Sequence, residues 1–297
     1  MKKLSYLLLL ALISFASCSK DKDGDDNSQT SEITEARLEL DISFSNPVVN
    51  KFFSYIKTGN SLPWQAYYDS WDNLTSEEDN QLSSLFSNNP TIAGYLVRLP
   101  IVKNEIFIKG AQVRGVSRGI AHEIQNLWNN DAIKGNYYVG SLMNDNSLGF
   151  SYEQNILGET GLSVSVDPDD FTRTETNESI TIEGITAKKI TYTVKTAVQD
   201  FYEIKKIDVY VASSLDKSIN LMHPFITNEA AGVIKIEVEM IKTDFGKIVY
   251  ELKKVEKRAV SAQELINSTP AETLNPQTPE EFETLYLEIR SITSFFV

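Results

Sequence analysis

The stretch Ile234-Lys-Ile-Glu-Val-Glu-Met240 decides the fold, because apolar and charged residues alternate along it without a break. Successive side chains of a β-strand point to opposite faces, so the pattern predicts a strand with one dry face and one wet face. Asp244-Phe-Gly246 then predicts a turn, and Ile248, Tyr250 and Leu252 continue the alternation. Such strands are typical of an antiparallel sheet, since the strands of a doubly wound parallel sheet are apolar on both faces.

The same twofold alternation recurs upstream and extends the predicted sheet. It occurs in residues 106–109, 180–182 and 190–194, with turn-forming residues between these segments. Several strands that each have one apolar face predict a large antiparallel sheet. Together with the helices described next, they predict an α+β fold.

Helix signals lie towards the two ends of the chain. Residues 46–56 carry apolar side chains at helical spacing behind an Asn-Pro start. Thr75 followed by Glu78 makes a capping box, and Thr278-Pro279 provides an N-cap and a proline in the first turn. We therefore predict N-terminal helices and a C-terminal helix that pack on the sheet.

An aromatic cluster between the first two helix signals has two interpretations. Exposed aromatic rings are used to bind sugars, whereas large aromatic residues more often pack into a core. We expect packing under the helices for these residues: Pro63, Trp64, Tyr67, Tyr68 and Trp71.

The N-terminus predicts export from the cytoplasm. Lys2 and Lys3 precede an apolar run from Leu4 to Phe15, which small residues follow. This run is shorter than the roughly 20 apolar residues that span a bilayer, so we predict a signal peptide over residues 1–17 that is removed.

Cys18 is the predicted lipid-attachment residue. Phe15-Ala-Ser-Cys18 resembles the lipobox of bacterial lipoproteins, with Phe15 at a position where that family usually has an aliphatic residue. The resemblance implies that the Cys18 thiol receives a diacylglyceryl group and its amine a further acyl chain. Because Cys18 is the only cysteine, the chain forms no internal disulfide. The alternative is a secreted protein in which Cys18 has no such role.

Residues 18–33 predict a disordered acidic tether, because Ser, Asp, Lys and Gly predominate in them. Residues 20–26 resemble the export tag that follows the lipidated cysteine in surface lipoproteins of Bacteroidetes-type bacteria. The resemblance implies an outer-membrane, surface-exposed location. A calcium loop is disfavoured, since Gly24 is at position 4 counted from Asp21, where an EF-hand needs glycine at position 6.

Charge disfavours nucleic acid as a partner. Removal of Lys2 and Lys3 with the signal peptide changes the formal charge from −13 to −15. An acidic surface repels phosphate backbones, and the sequence has no basic stripe. We predict a single α+β domain over residues 34–297, with a helical part at 34–100, the sheet at 101–260 and a C-terminal segment with its helix at 261–297.

A family resemblance refines this fold. Glu105–Arg114, His122–Trp128 and Ile182–Ile190, followed by Ile207-Asp-Val-Tyr-Val211, look like the strands of small bacterial lipoproteins of the DUF4412 type. Ala187 and Tyr210 stand where that family has cysteine and tryptophan. The resemblance implies a strongly curved antiparallel sheet, a half-barrel like that of the lipoprotein carriers LolA and LolB, with helices on its concave side. Such folds hold an acyl chain between sheet and helices.

The enzymatic alternative is a serine hydrolase. Gly115-Val-Ser-Arg-Gly119 matches the nucleophile elbow, which would make Ser117 the nucleophile and His223 its base. Residues 121–128 alternate like another strand, however, so a hairpin loop is the simpler interpretation. His122-Glu123 lacks the second histidine of a zinc site, and no glycine-rich nucleotide motif occurs, so we predict no metal and no cofactor.

We therefore expect a non-enzymatic, lipid-anchored envelope protein. Its domain would bind a lipid-like or other apolar ligand, or an envelope protein. The serine hydrolase and a purely structural lipoprotein without a small-molecule ligand remain the alternatives.

Overall fold

The computed structural model describes residues 32–59, 61–153, 163–198 and 203–294. The helices in this part are α1 Pro47–Thr58, α2 Pro63–Asp72, α3 Ser76–Asn88, α4 Pro90–Leu96 and α5 Pro279–Thr293. The first seven strands are β1 Glu35–Phe44, β2 Lys103–Lys109, β3 Gln112–Arg118, β4 His122–Asn129, β5 Lys134–Ser141, β6 Ser147–Tyr152 and β7 Val164–Ser165. The others are β8 Phe171–Ile182, β9 Ile185–Val194, β10 Ile204–Ala212, β11 Phe225–Ile226, β12 Gly232–Met240, β13 Lys247–Glu256 and β14 Glu272–Leu274.

Twelve strands form one open sheet in the order β14-β6-β5-β4-β3-β2-β1-β13-β12-β10-β9-β8. Neighbouring strands are antiparallel except β14, which pairs parallel with β6. Strands β7 and β11 form a separate parallel pair. The predicted α+β architecture with a large antiparallel sheet is therefore confirmed.

Strand β1 joins the two halves of the sheet, although no strand is predicted for its residues. One meander runs from β2 to β6, the other from β8 to β13, and β1 pairs with β2 and with β13. The prediction that residues 34–100 are the helical part is wrong for residues 35–44. Their alternation of buried and more exposed side chains is that of a strand with one face in the core.

The helices begin where the capping signals predict. The Asn46 side chain accepts hydrogen bonds from the Val48 and Val49 amides, at 2.9 and 3.1 Å. Thr75 and Thr278 both form complete capping boxes, at α3 and α5. These side chains satisfy amide groups that a helix start would otherwise leave without partners.

The inner face of the sheet is the core of the domain. Leu38, Ile42, Val139, Val209 and Ile236 are each 1% exposed or less. Buried residues of α1 and α5 belong to the same apolar cluster. The core therefore extends from one half of the sheet to the other, with helices packed on it.

The outer face of the sheet carries paired charges. The Arg37 guanidinium lies 2.6 Å from a Glu105 carboxylate oxygen, and Lys235 Nζ lies 2.9 Å from Glu237. The Asp208 carboxylate is buried beneath Lys206 Nζ at 3.0 Å. Pairing of this kind adds little stability per pair, but it keeps the wet face of the predicted strands soluble.

The C-terminal strap, residues 257–293, wraps around one edge of the sheet. Val260 and Leu265 pack on Phe107 and Val116, whose side chains lie on the outer face. The strap then pairs with β6 through β14 and ends in α5, which packs in the inner core. Strand β14 of the strap thus pairs with the β6 edge, which would otherwise expose unpaired backbone groups.

Gly135→Ala will lower the free energy of unfolding by about 1–3 kcal/mol. A Cβ at Gly135 would overlap the ring of Tyr152, its partner in the antiparallel pair β5–β6. Gly94→Ala is the matched control, because its Cβ would have nothing within 4 Å and lies inside α4. We expect the free energy of unfolding of Gly94→Ala to rise by about 0.5–1 kcal/mol, as measured by urea unfolding. Equal effects at both positions would contradict the packing described.

Candidate functional site

Ser117 lies in a β-hairpin. It is part of β3, and a short turn connects β3 to strand β4. Its Oγ donates a hydrogen bond to Asn104 Oδ1 at 3.2 Å. A nucleophile elbow needs a helix directly after its serine, so the Gly115–Gly119 match lacks the local geometry of that motif.

Close packing accounts for the two glycines of this motif. A Cβ at Gly115 would lie 2.9 Å from Met222 Cβ, and one at Gly119 would lie 2.8 Å from His122 Cε1. Real Cβ atoms avoid such distances. The glycines therefore allow neighbouring side chains to approach the sheet.

His223 is buried behind a short 3₁₀ helix, residues 217–222. It is 3% exposed, and its Nε2 lies 2.9 Å from the Val233 carbonyl oxygen. Its Nδ1 has no hydrogen-bond partner among the described residues. Burial lowers the pKa of His223 to about 4, so the ring is neutral at pH 7.

His122 is the second buried histidine. It is 2% exposed at the start of β4, and its Nδ1 has no partner in the described part of the chain. Burial, and secondarily the charge of Arg98, lowers its pKa to about 4. Across the described ranges, no group of three or more His, Cys, Asp or Glu side chains is placed to hold a metal ion.

Several buried polar atoms without partners occur around strand β11. His223, Phe225 and Thr227 are alternate residues of an extended segment and are all at most 4% exposed. The rings of His223 and Tyr250 lie 5.2 Å apart, and those of Phe225 and Tyr95 lie 6.2 Å apart. Of the described residues with unpartnered buried atoms, we call the five around strand β11 the polar seam: Tyr95, Ser163, His223, Thr227 and Tyr250.

The unpartnered atoms of the polar seam lower the stability of the fold. A buried donor or acceptor without a partner costs about 1–3 kcal/mol. His223 was predicted as a catalytic base from chain order, whereas the seam has no sequence signal beyond the spacing of His223 and Thr227 around Phe225.

A recess opens where the C-terminal strap rounds the sheet edge. This edge recess has a volume of about 360 Å³ and is lined by Lys134, Ser151, Tyr152, Glu153, Asn275, Pro276, Gln277 and Phe282. Among the described residues neither Lys134 nor Glu153 has an ion-pair partner, unlike the charges of the outer face. The recess therefore offers one cation, one anion, amide groups and an aromatic ring to the solvent.

Ile133 adds an exposed apolar side chain beside the edge recess. It precedes Lys134, is 65% exposed and has a φ of 49°. A β-branched residue is strained in this left-handed region of the backbone. Strained and exposed residues are concentrated at binding sites, which favours a role for this corner of the domain.

The aromatic cluster of α2 is mostly packed, as expected. Tyr67 is buried, and its ring lies 5.3 Å from that of Phe52. Trp64 and Trp71 are partly buried against the core, whereas Tyr68 is 56% exposed. One exposed ring in this cluster makes a poor platform for a sugar.

Cys18, the predicted signal peptide and most of the predicted tether lie outside the described residues. Ile33, at the predicted end of the tether, is buried, and its amide donates to the Ser214 carbonyl at 2.8 Å. Of the helices described, none has the length and hydropathy needed to cross a membrane.

Comparisons with known proteins provide little further guidance. No family model and no curated protein matches the chain. Among solved structures, it is similar to PNGF-II in space group P21, with 12% identity, a TM-score of 0.42 and coverage of 86% of this chain and 34% of that one. It is also similar to PNGF-II in space group C2, with 15% identity, a TM-score of 0.33 and coverage of 63% and 30%. The chain spans about a third of the length of those proteins, and likeness at this level carries no conclusion about function.

Proposed function

We propose that this protein is a lipid-anchored envelope protein whose domain binds a partner protein at its surface without catalysing a reaction. Cys18 attaches it to the outer membrane, and the acidic tether holds the domain on the outside of the cell. We choose a partner protein over a lipid-like ligand because of one observation, namely that side chains fill the inner face of the sheet.

A carrier of a lipid-like ligand needs an apolar cavity of several hundred Å³. On the inner face, Leu38, Val139 and Val209 are each 1% exposed or less, and helices pack above them. These side chains fill the space in which an acyl chain would lie. We further infer that the sheet curves in the manner of LolA and LolB, because twisted sheets of more than about ten strands usually curl.

The edge recess is the docking position that we assign to the partner. Lys134 and Glu153 present opposite charges there, and Ile133 presents an exposed apolar side chain. A central apolar contact within a rim of charges is a common arrangement in protein interfaces. The hydrolase alternative gains no support from the hairpin position of Ser117.

Site-specific photocrosslinking in intact cells tests this proposal. A photoreactive residue at Lys134 is expected to give one discrete adduct, whereas the same residue at Lys188 gives none. Lys188 is an exposed lysine on β9, in the other half of the sheet. Adducts of equal yield at both positions would contradict a partner site at the edge recess.

Mass spectrometry of the full chain distinguishes the ligand classes. We expect acyl chains covalently attached to Cys18, their loss in Cys18→Ser, and no further lipid released by denaturation. About one equivalent of non-covalent lipid would overturn the partner-protein proposal in favour of a lipid carrier.

A further inference from the structure

We propose that the partner protein binds the edge of strand β6 through an extended, basic segment, which displaces β14 and continues the sheet. This inference rests on the proposed function, because it specifies which part of a partner fills the edge recess. A strand edge recognises a peptide through backbone hydrogen bonds, whereas the side chains around the edge select its sequence.

Strand β14 covers only part of the β6 edge. It pairs with residues 148–150, whereas β6 extends to Tyr152. Pro270 and Pro276 flank β14 and cannot donate backbone hydrogen bonds, which limits the pairing to three residues. The edge at Ser151 and Tyr152 therefore lies beyond β14, where both residues line the edge recess.

Strand β14 is weakly attached, whereas the strap on either side of it is firmly held. Its pairing with β6 is parallel, the slightly weaker kind, and of its residues only Leu274 is packed partly against the core. Upstream, Arg114 Nε donates to Asn267 Oδ1 at 3.0 Å. Downstream, Leu285 and Ile289 of α5 are each 1% exposed. Residues between these anchors can therefore leave β6 as a loop while the rest of the strap stays in place.

The charge around the β6 edge favours a basic segment. Residues 259–289 of the strap contain six glutamates and no lysine, arginine or histidine. Glu272 and Glu280 are exposed and have no ion-pair partner among the described residues. Glu153 directly follows β6, whereas Lys134 lies on β5, one strand further from the edge. Complementary charge selects a partner, so lysine or arginine is favoured over acidic residues in the segment.

The segment is expected to alternate apolar and basic residues. Tyr152 points into the core, whereas Ser151 lies on the opposite face with its Oγ 2.8 Å from Asn136 Oδ1. Phe282 of α5 is partly buried against the core and lines the recess. Side chains of an added strand point alternately to these two faces, so apolar ones would meet Phe282 and basic ones would lie on the outer face.

The opposite edge of the sheet, strand β8, is a poorer docking position. A bulge interrupts its register between Glu175 and Ser179, and Arg173 forms an ion pair with Glu175 at 2.8 Å. Bulges and charged side chains on an edge strand oppose the addition of another strand. Strand β8 therefore serves as the internal comparison in the experiment.

Binding of a short synthetic peptide of alternating lysine and valine to the full chain tests the proposal. We expect it to bind at least about tenfold more tightly than a twin with glutamate in place of lysine. A twin with N-methylated backbone amides keeps the charge but cannot donate to β6, so it should not bind. Hydrogen exchange should show that the lysine peptide protects residues 147–153 and leaves β8 unchanged.

Leu274→Ala is expected to tighten binding of the lysine peptide about tenfold, because a weaker attachment of β14 raises the fraction of molecules with an open β6 edge. Leu85→Ala is the matched control, since Leu85 is also partly buried against the core but belongs to α3. The control should leave the affinity unchanged. An unchanged affinity in Leu274→Ala would overturn the displacement of β14.

Three results would overturn strand addition: equal binding of the N-methylated peptide, protection of β8 in place of β6, or no binding of the lysine peptide. These measurements are independent of the crosslink at Lys134 in cells. A crosslink without peptide binding would remove only the strand-addition mode, whereas loss of the discrete crosslink would overturn the proposed function itself.

Discussion

Replacing Arg173 with alanine will lower the free energy of unfolding by about 3 kcal/mol at pH 7. Glu229 is 5% exposed, and its carboxylate receives hydrogen bonds from Arg173 Nε at 2.8 Å and from Nη2 at 3.0 Å. Without the guanidinium, the buried Glu229 carboxylate would keep, among the described residues, only the Tyr192 hydroxyl as a donor. We place the effect at the low end of the range for buried pairs, because the Arg173 side chain is 40% exposed.

Arg258→Ala is the matched control for this prediction. Arg258 also bonds two carboxylates, those of Glu264 and Glu256, but all three side chains are between 27% and 37% exposed. We expect only a marginal loss of stability in urea unfolding at pH 7, well below that of Arg173→Ala, because solvent screens the pairs of Arg258. If the two arginine variants lose equal stability, the burial of Glu229 is not what makes its pair important.

The parts of the fold that are encoded locally were predictable from the sequence. Capping boxes at Thr75 and Thr278 place two helix starts, because the residues that satisfy a helix terminus are only three positions apart. The alternation in residues 234–240 identifies β12, since the period of side-chain direction is a property of the strand itself.

The position of each strand in the sheet was not predictable in the same way. Strand β1 pairs with β2, whose residues come 64 to 74 positions later, and with β13, more than 200 positions later. The alternation in residues 35–44 indicates a strand, but no feature of these residues indicates that β1 lies at the centre of the sheet. Pairings across such separations are set by the packing of the whole core.

The candidate sites depend on the same non-local packing. Arg173 and Glu229 are 56 residues apart, and the edge recess joins residues 134 and 153 to residues 275–282. The sequence identified Ser117 and His223 by motif and chain order alone. Asn104 lies opposite Ser117 in the register of β2 and β3, and the Val233 carbonyl meets His223 through the packing of the 217–223 segment on β12; no motif records either contact.

Acidification from pH 6.5 to 4.5 will destabilise the protein by about 2–3 kcal/mol for each of its two histidines. Burial lowers the pKa of both His122 and His223 to about 4, whereas the unfolded chain takes up a proton near pH 6.5. The stabilising contribution is therefore fully present above pH 6.5 and is lost as the pH falls towards 4. Urea unfolding at steps between pH 7.0 and 4.5 measures it.

His223→Gln isolates the contribution of one ring. An amide at position 223 can still donate to the Val233 carbonyl but does not titrate, so the variant should show about half of the pH dependence. The carboxylates with lowered pKa values, such as Glu105 and Glu237, lose their contributions in the same direction but mainly below pH 4.5. A free energy of unfolding that stays constant from pH 6.5 to 4.5 would contradict the lowered pKa values of the two buried rings.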